Sequence, residues 1–193
     1  MDNLIQIHAD ALDISLCAQL ISLFSIADPP RCDLGYRRCR LLEIPNAHPA
    51  SHEAFYKFCR QVRGPLEIYG QYVKNHLDHC RQIERPNIIC YEPKHDGEPP
   101  DHFHEHADAW DVDSATRQVA MIGYLNTVEE GGETVFPNYD LVIKPQEGDL
   151  LIFPAGFTHT HLSKPPISRS KYCVVTWLHF TGPVKFACYP FSL

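Results

Sequence analysis

The sequence predicts a mainly β protein with supporting α-helices, of the jelly-roll kind, on three observations. From Asn87 onward the apolar pattern turns to period two and β-branched residues appear, as half-buried strands require. The strand-like runs are many and short, with turn formers at regular intervals, which suits a jelly roll. Before that point apolar residues recur at helical spacing instead. One domain over residues 1–193 is expected, with 1–85 as mainly helical support, 86–180 as the jelly-roll core and 181–193 as a tail. A chain of 193 residues can bury a core of its own.

Taken in order, Leu4 to His8 reads as a short strand. Leu12, Leu16, Leu20, Leu23 and Phe24 give an amphipathic helix over Ala11 to Ile26, with Asp13 as its N-cap and Asp28-Pro-Pro30 as its stop. Arg31 to Arg40 is basic and rich in turn formers. Leu41 to Ile44 reads as a strand and Pro45 to Pro49 as a loop. A helix capped by Ser51 or a neighbour carries Phe55, Phe58 and Val62 and is interrupted at Gly64-Pro65. A second helical stretch runs from Leu66 to Cys80, with Ile68, Tyr72, His76 and His79 at helical spacing, the two histidines as surface residues. These helices are expected to pack on the outer face of the major sheet.

Asn87 to Tyr91 is a strand, and the polar loop Glu92 to Pro100 is placed as a substrate-facing flap. His102 to Asp108 and Arg117 to Thr127 are strands. Val135-Phe136, Leu141 to Ile143, Leu150 to Phe153, a strand starting at His159, and Tyr172 to Phe180 follow. Gly131-Gly132 reads as a tight turn at positive φ rather than a phosphate loop, because no Lys-Ser/Thr follows it. The apolar tail Phe186 to Leu193 covers a core edge or joins a dimer interface; the oligomeric state is not legible.

Composition removes several function classes. A formal net charge of −7 and no dense Lys/Arg run argue against a nucleic-acid partner. No basic, apolar start and no long apolar run points to a signal or a membrane span, so a cytoplasmic protein without a membrane partner is expected. Eight cysteines without a Cys-x-x-Cys pair read as reduced packing thiols, not as disulfides or a zinc–thiolate site.

The chemistry is concentrated between residues 102 and 180. In an extended strand, side chains at i and i+2 leave the same face, so His106 and Asp108 can reach one metal ion. A third ligand must come from elsewhere, and His161 is on offer. Two histidines and one carboxylate leave open positions for a chelating co-substrate and oxygen, as in iron(II) oxygenases. Spacing alone does not finish the assignment. Alternation puts His102, His104, His106 and Asp108 on one face. His159 and His161 each stand ten residues before a cation, Arg169 and Lys171. Ligation by His102 and His104 as well would favour zinc and a hydrolase.

The succession His-x-Asp, apolar strand, Gly-Gly loop, strand and His-x10-Lys resembles the prolyl 4-hydroxylase-like branch of the 2-oxoglutarate/iron(II) dioxygenases. The resemblance runs from about Ile88 to Phe180. It is carried by Tyr91, Phe103, His106, Asp108, Arg117, Tyr124-Leu-Asn126, Gly131-Gly132, Thr134, Phe136-Pro137, Lys144-Pro145, Gly148-Asp149, Phe153-Pro154, His161, Pro165, Lys171 and Trp177. It implies a double-stranded β-helix with iron between its sheets. It selects His106, Asp108 and His161 as the metal ligands, His161 because the family has a proline where Pro165 stands. His102 and His104 then belong to the surroundings or to solvent.

The resemblance also implies that Lys171 anchors the distal carboxylate of 2-oxoglutarate, with the Tyr124 hydroxyl on the same carboxylate. Thr134 and Tyr91 would line that pocket and Trp177 would form a wall. Iron(II), 2-oxoglutarate and O2 are implied, with ascorbate as a candidate accessory reductant, and no catalytic group beyond the metal ligands. Related halogenases carry a small residue in place of the carboxylate, so Asp108 favours hydroxylation. The implied substrate is a prolyl or other amino-acid residue in a peptide or protein, with release of succinate and CO2. A free amino acid or small metabolite, or a non-catalytic jelly-roll binding module, are the alternatives. Trp110, Asp111 and Asp113 either meet a substrate at the mouth or form a solvated turn.

Overall fold

The computed structural model describes residues 4–46, 48–73, 76–95, 97–182 and 186–191. Residue 96 of the expected flap, 74 and 75 of the second expected helix, and 192 and 193 of the tail lie outside the described residues. The elements are β1 (Gln6–His8), α1 (Ile14–Ala27), β2 (Arg31–Asp33), β3 (Arg37–Glu43), α2 (Pro49–Tyr72), β4 (Cys80–Glu84), β5 (Asn87–Tyr91), β6 (His102–His106), β7 (Arg117–Tyr124), β8 (Thr134–Phe136), β9 (Leu141–Ile143), β10 (Leu150–Pro154), β11 (His161–Ser163), β12 (Lys171–Phe180) and β13 (Cys188–Pro190). No described helix is long and apolar enough to cross a membrane.

All strand pairings are antiparallel, and the sheet runs β1-β10-β7-β12-β5-β3-β6-β11-β8-β9, with β2 on β3 and with β4 on β12 and β13. The sheet curls back on itself. Phe136 of β8 meets Phe153 of β10 edge-on at 4.9 Å, and the Tyr124 hydroxyl of β7 donates to Thr134 of β8. The space inside the curl is the site.

Period-two alternation sorts the central strands onto two cores. Val119 and Met121, Leu150 and Ile152, Ile88 and Cys90, and Val174 and Leu178 face the helices. Their alternates Ala120, Ile122, Tyr124, Leu151, Phe153, Ile89, Tyr91, Cys173, Val175 and Trp177 face the inside of the curl. Leu16, Leu20, Leu23 and Phe24 of α1 and Phe58, Val62, Leu66 and Tyr69 of α2 close the first core, on the outer face as expected. Gly123 admits the segment leading into α1 against the sheet: a Cβ there would sit 2.5 Å from Leu12 and 2.9 Å from Val174.

Several local expectations are corrected. Asp13 occupies the N-cap position of α1, but its carboxylate makes no cap hydrogen bond; Gln61 and Lys57 of α2 take it instead. The basic stretch Arg31 to Arg40 is a β-hairpin rather than turns, so β3 begins at Arg37. The interruption at Gly64-Pro65 does not occur, and α2 runs through Pro65. An interior proline removes one backbone hydrogen bond and costs about 3 kcal/mol. Burial of Phe58, Val62, Leu66 and Tyr69 on one continuous stripe outweighs it. The stripe read as Ile68 and Tyr72 is the exposed one, His76 and His79 lie beyond the helix on the surface, and Cys80 opens a strand. The tail pairs as β13 with β4, and Phe191 is buried against the helical core.

The described residues of the expected flap after β5 are held by arginines of the β2–β3 hairpin. Arg31 holds Glu92 and Asp101, Arg38 holds Glu98, and Arg40 holds Glu92, so the β2–β3 arginines tie the loop to the hairpin. None of the loop's described residues lines the cavity, whereas Tyr36 at the hairpin tip does.

Candidate active site

The curl encloses a cavity of about 600 Å³. His106 ends β6, Asp108 follows in the next turn, and His161 opens β11 directly opposite His106. Ligand-type atoms of the three lie within 4.8 Å of one another, the one such group found among the described residues. The His106 Nδ1 lies 2.8 Å from the His104 carbonyl and the His161 Nδ1 lies 3.2 Å from the His159 carbonyl. A carbonyl can only accept, so both rings carry the proton on Nδ1 and present the Nε2 lone pair. The two Nε2 atoms stand 3.9 Å and 3.8 Å from the two Asp108 oxygens.

Burial pushes both imidazoles down to about 4, with His161 adding to the effect at His106. Burial pushes the Asp108 carboxyl up, while His106, the Trp177 indole and Arg117 pull it back. Two neutral imidazoles and a desolvated carboxylate are the donor set of a divalent iron centre with open positions. The residues present therefore fit the metal.

The alternation read across His102 to Asp108 does not hold. Four residues of β6, Phe103 to His106, span three of β11, His161 to Ser163, so β6 is bulged. The bulge turns Phe103 and His106 into the cavity and leaves His102 and His104 out of it. His102 faces the carbonyls of Pro100 and Gly35 and stacks on exposed His104. His159 lies at the end of a 3-10 turn, buried against Tyr139 and Thr158 and away from Asp108. Arg169 is exposed.

At another wall of the cavity Lys171 is 1 % exposed. Its ammonium donates to Ser163 Oγ at 3.0 Å and stands 5.5 Å from the rings of Tyr91 and Tyr124. Burial lowers its pKa, and no carboxylate is ion-paired to it among the described residues. An unpaired buried ammonium is costly, and a carboxylate ligand removes the cost. Thr134 and Tyr91 line the cavity; Tyr124 reaches it through its hydrogen bond to Thr134, 2.8 Å long. Asn126 fixes the start of β12, accepting from Tyr172 N–H and donating to the Ser170 carbonyl. Gly131 and Gly132, both at φ +74°, make the turn that brings Pro165 against them; a Cβ on Gly131 would lie 2.5 Å from the Pro165 carbonyl.

A cluster behind Asp108 was only half legible. Arg117 donates to the Asp108 carbonyl at 3.1 Å and grips Glu84 with two hydrogen bonds, 2.8 and 2.7 Å. Its guanidinium lies 3.7 Å from the Trp177 ring centre and 4.4 Å from that of Phe186. His179 bonds the same Glu84 at 2.8 Å and Thr116 at 2.9 Å. Sequence reading named Arg117 and Trp177 but missed Glu84 and His179. The signal for His179 was its place two residues after Trp177 on the inward face of β12. Trp110 is 73 % exposed at the mouth, in a turn held by Ser114 and Asp111.

The family model described as the 2OG-Fe(II) oxygenase superfamily matches residues 65–179. The chain belongs to this superfamily. A probable prolyl 4-hydroxylase 7 of Arabidopsis thaliana is 29 % identical over 123 residues, 50 % of this chain and 38 % of that protein. The match thus spans well under half the length of that relative. Among solved structures, the viral collagen prolyl hydroxylase of Paramecium bursaria Chlorella virus-1, a 2OG complex, aligns with a TM-score of 0.70 at 20 % identity, covering 93 % of this chain and 98 % of that one. A prolyl hydroxylase from Trichoplax adhaerens, in complex with a hypoxia inducible factor oxygen degradation domain peptide, gives 0.71 at 20 % identity, with 93 % and 84 % covered. At such identities these structures carry the fold, and the jelly-roll expectation stands.

Proposed function

We propose that this member of the superfamily is a 2-oxoglutarate- and iron(II)-dependent dioxygenase that hydroxylates an unactivated C–H bond. The target is a prolyl or other amino-acid residue of a peptide or protein. The observation that carries the reading is the pairing, in one cavity, of the His106–Asp108–His161 donor set with a buried, unpaired Lys171. A hydrolase site has no use for the second feature, and a binding module has no use for both.

His106, Asp108 and His161 would hold the iron, and Lys171, assisted by Thr134, Tyr124 and Tyr91, would hold the co-substrate. Once bound, iron(II) and 2-oxoglutarate supply oxygen activation coupled to release of succinate and CO2. The chain's own part is positioning and exclusion of water. The Nδ1–carbonyl hydrogen bonds aim both imidazoles. Arg117 fixes the backbone that carries Asp108. The apolar wall of Ile89, Ile122, Val175 and Trp177 keeps the cavity dry around the reacting carbon. The prolyl preference is supported by the prolyl hydroxylase relatives, one of which was solved with a peptide. The test is succinate formation from 2-oxoglutarate in the presence of proline-containing peptides. Stimulation, with a peptide product heavier by one oxygen, is expected. No stimulation across a peptide set contradicts the peptide assignment and moves the substrate to a free amino acid or small metabolite.

A further inference from the structure

The cavity holds a second cation for which the reading above has no role. Arg37 lies on β3, where Arg38 and Arg40 point outward to carboxylates while Arg37 and Cys39 point inward. Its Nε–H donates to Cys39 Sγ at 3.2 Å, and its guanidinium carbon stands 4.9 Å from the Phe103 ring centre. Phe103 in turn stacks at 3.5 Å on His106. These contacts orient the fork but bring it no negative charge.

No ion pair joins Arg37 to a carboxylate among the described residues. The acids that line the cavity are engaged elsewhere: Glu43 with Arg85, Glu84 with Arg117 and His179, Glu105 with Thr160, and Asp108 between the two imidazoles. Arg37 also shares no hydrogen-bond partner with Lys171, which has Ser163. Arg37 is half-buried at the cavity wall, and a guanidinium there with no carboxylate partner matches an incoming carboxylate with two parallel hydrogen bonds.

We propose that Arg37 is an anion seat for the substrate, and that the substrate carries a carboxylate within one residue of the carbon to be hydroxylated. The inference rests on the function proposed above. The short distance follows from the stacking, since Arg37 lies over the Phe103 ring, which itself stacks on the His106 ligand. Two carboxylates meet this description, the α-carboxylate of a C-terminal residue and the side chain of a following Asp or Glu.

The test uses Mn(II)-loaded protein with 2-oxoglutarate, without oxygen, so that nothing turns over. Calorimetry measures binding of two peptide pairs, one ending in proline as the free acid or the amide, the other continuing with Pro-Glu-amide or Pro-Gln-amide. Wild type is expected to bind the acid of at least one pair about tenfold or more tightly than its neutral partner, and the pair that responds identifies the source of the carboxylate. Arg37→Gln is expected to remove that preference, weakening the acid peptide about tenfold or more, with 2-oxoglutarate affinity within about twofold of wild type. Arg37→Lys, which keeps the charge but not the fork, should retain only part of the preference, and it substitutes if the Gln variant does not fold. Equal affinities within both pairs, or no binding of either, overturn the proposal. So does an Arg37→Gln protein that loses 2-oxoglutarate while keeping the peptide preference, which would assign Arg37 to the co-substrate and leave the oxygenase reading intact. If wild type binds no 2-oxoglutarate, the oxygenase reading falls and the inference with it.

Discussion

Lys171 and Asp108 state the residue-scale case most simply, because each is buried, Lys171 with no carboxylate partner among the described residues and Asp108 beside two neutral imidazoles. Lys171→Ala is expected to weaken 2-oxoglutarate binding at least about thirtyfold, as loss of one partner from a buried charge pair does, while metal affinity changes little. Titration of the Mn(II) protein with 2-oxoglutarate measures it, and an unchanged affinity would remove Lys171 from the co-substrate site. Asp108→Ala is expected to abolish substrate hydroxylation; undiminished oxidation of substrate by that variant would refute the ligand assignment. The His106–Asp108 pair was legible because an extended backbone sends side chains two residues apart to the same side. His161 against His159 was not settled by spacing, since both precede a cation by ten residues. The structure separates them by the 3-10 turn over Phe157–His159, which aims His159 at Tyr139. Arg37 gave no signal because its stretch reads as a basic turn, and only the register of β3 shows which arginine faces inward.

Elements decide where strict periodicity fails. Alternation on β6 is broken by the bulge against β11, and a bulge depends on pairing with a strand some sixty residues away, which local sequence does not encode. The opposite error occurred at Pro65, where a strong local breaker is overridden by the buried stripe of α2. Pro65→Ala restores the missing hydrogen bond and should raise stability by about 1–2 kcal/mol, part of the gain being lost to a freer unfolded chain. Urea denaturation measures it; an unchanged or lower midpoint would mean that the proline is not a burden on this helix. Behind the site, Arg117 links β7 to Asp108, Glu84 of β4 and the aromatic pair Trp177 and Phe186. Arg117→Lys keeps the charge but loses the fork, and a tenfold or greater loss of metal affinity is expected, as for other groups that orient a ligand. Wild-type metal affinity in that variant would show that Arg117 serves the fold alone.

The whole molecule is one curled antiparallel sheet backed on its outer face by two helices, and that much followed from where helical spacing gives way to period two at residue 87. Strands β4 and β13 did not follow, because these short sequences show no alternation of their own and take strand form by pairing, β4 with β12 and β13 with β4. Placing two imidazoles inside the curl has a global consequence. Their folded-state pKa values of about 4 lie below the unfolded value of 6.5, so between the two the unfolded chain binds more protons. The metal-free protein should therefore lose stability as pH falls from 6.5 towards 4; Asp108, raised rather than lowered, acts in the opposite sense over its own window. Melting temperatures at pH 7 and pH 5 should differ more for wild type than for His161→Gln, and equal differences would contradict the burial argument.

The central claim is that one cavity holds iron(II) through His106, Asp108 and His161 and holds 2-oxoglutarate through Lys171. The most direct measurement is anaerobic addition of iron(II) and then 2-oxoglutarate to the metal-free protein, watching for the visible metal-to-ligand charge-transfer band. The account predicts that the band appears in wild type and is lost in His161→Ala and weakened in Lys171→Ala at the same 2-oxoglutarate concentration. A protein that shows no band while binding zinc tightly would contradict it.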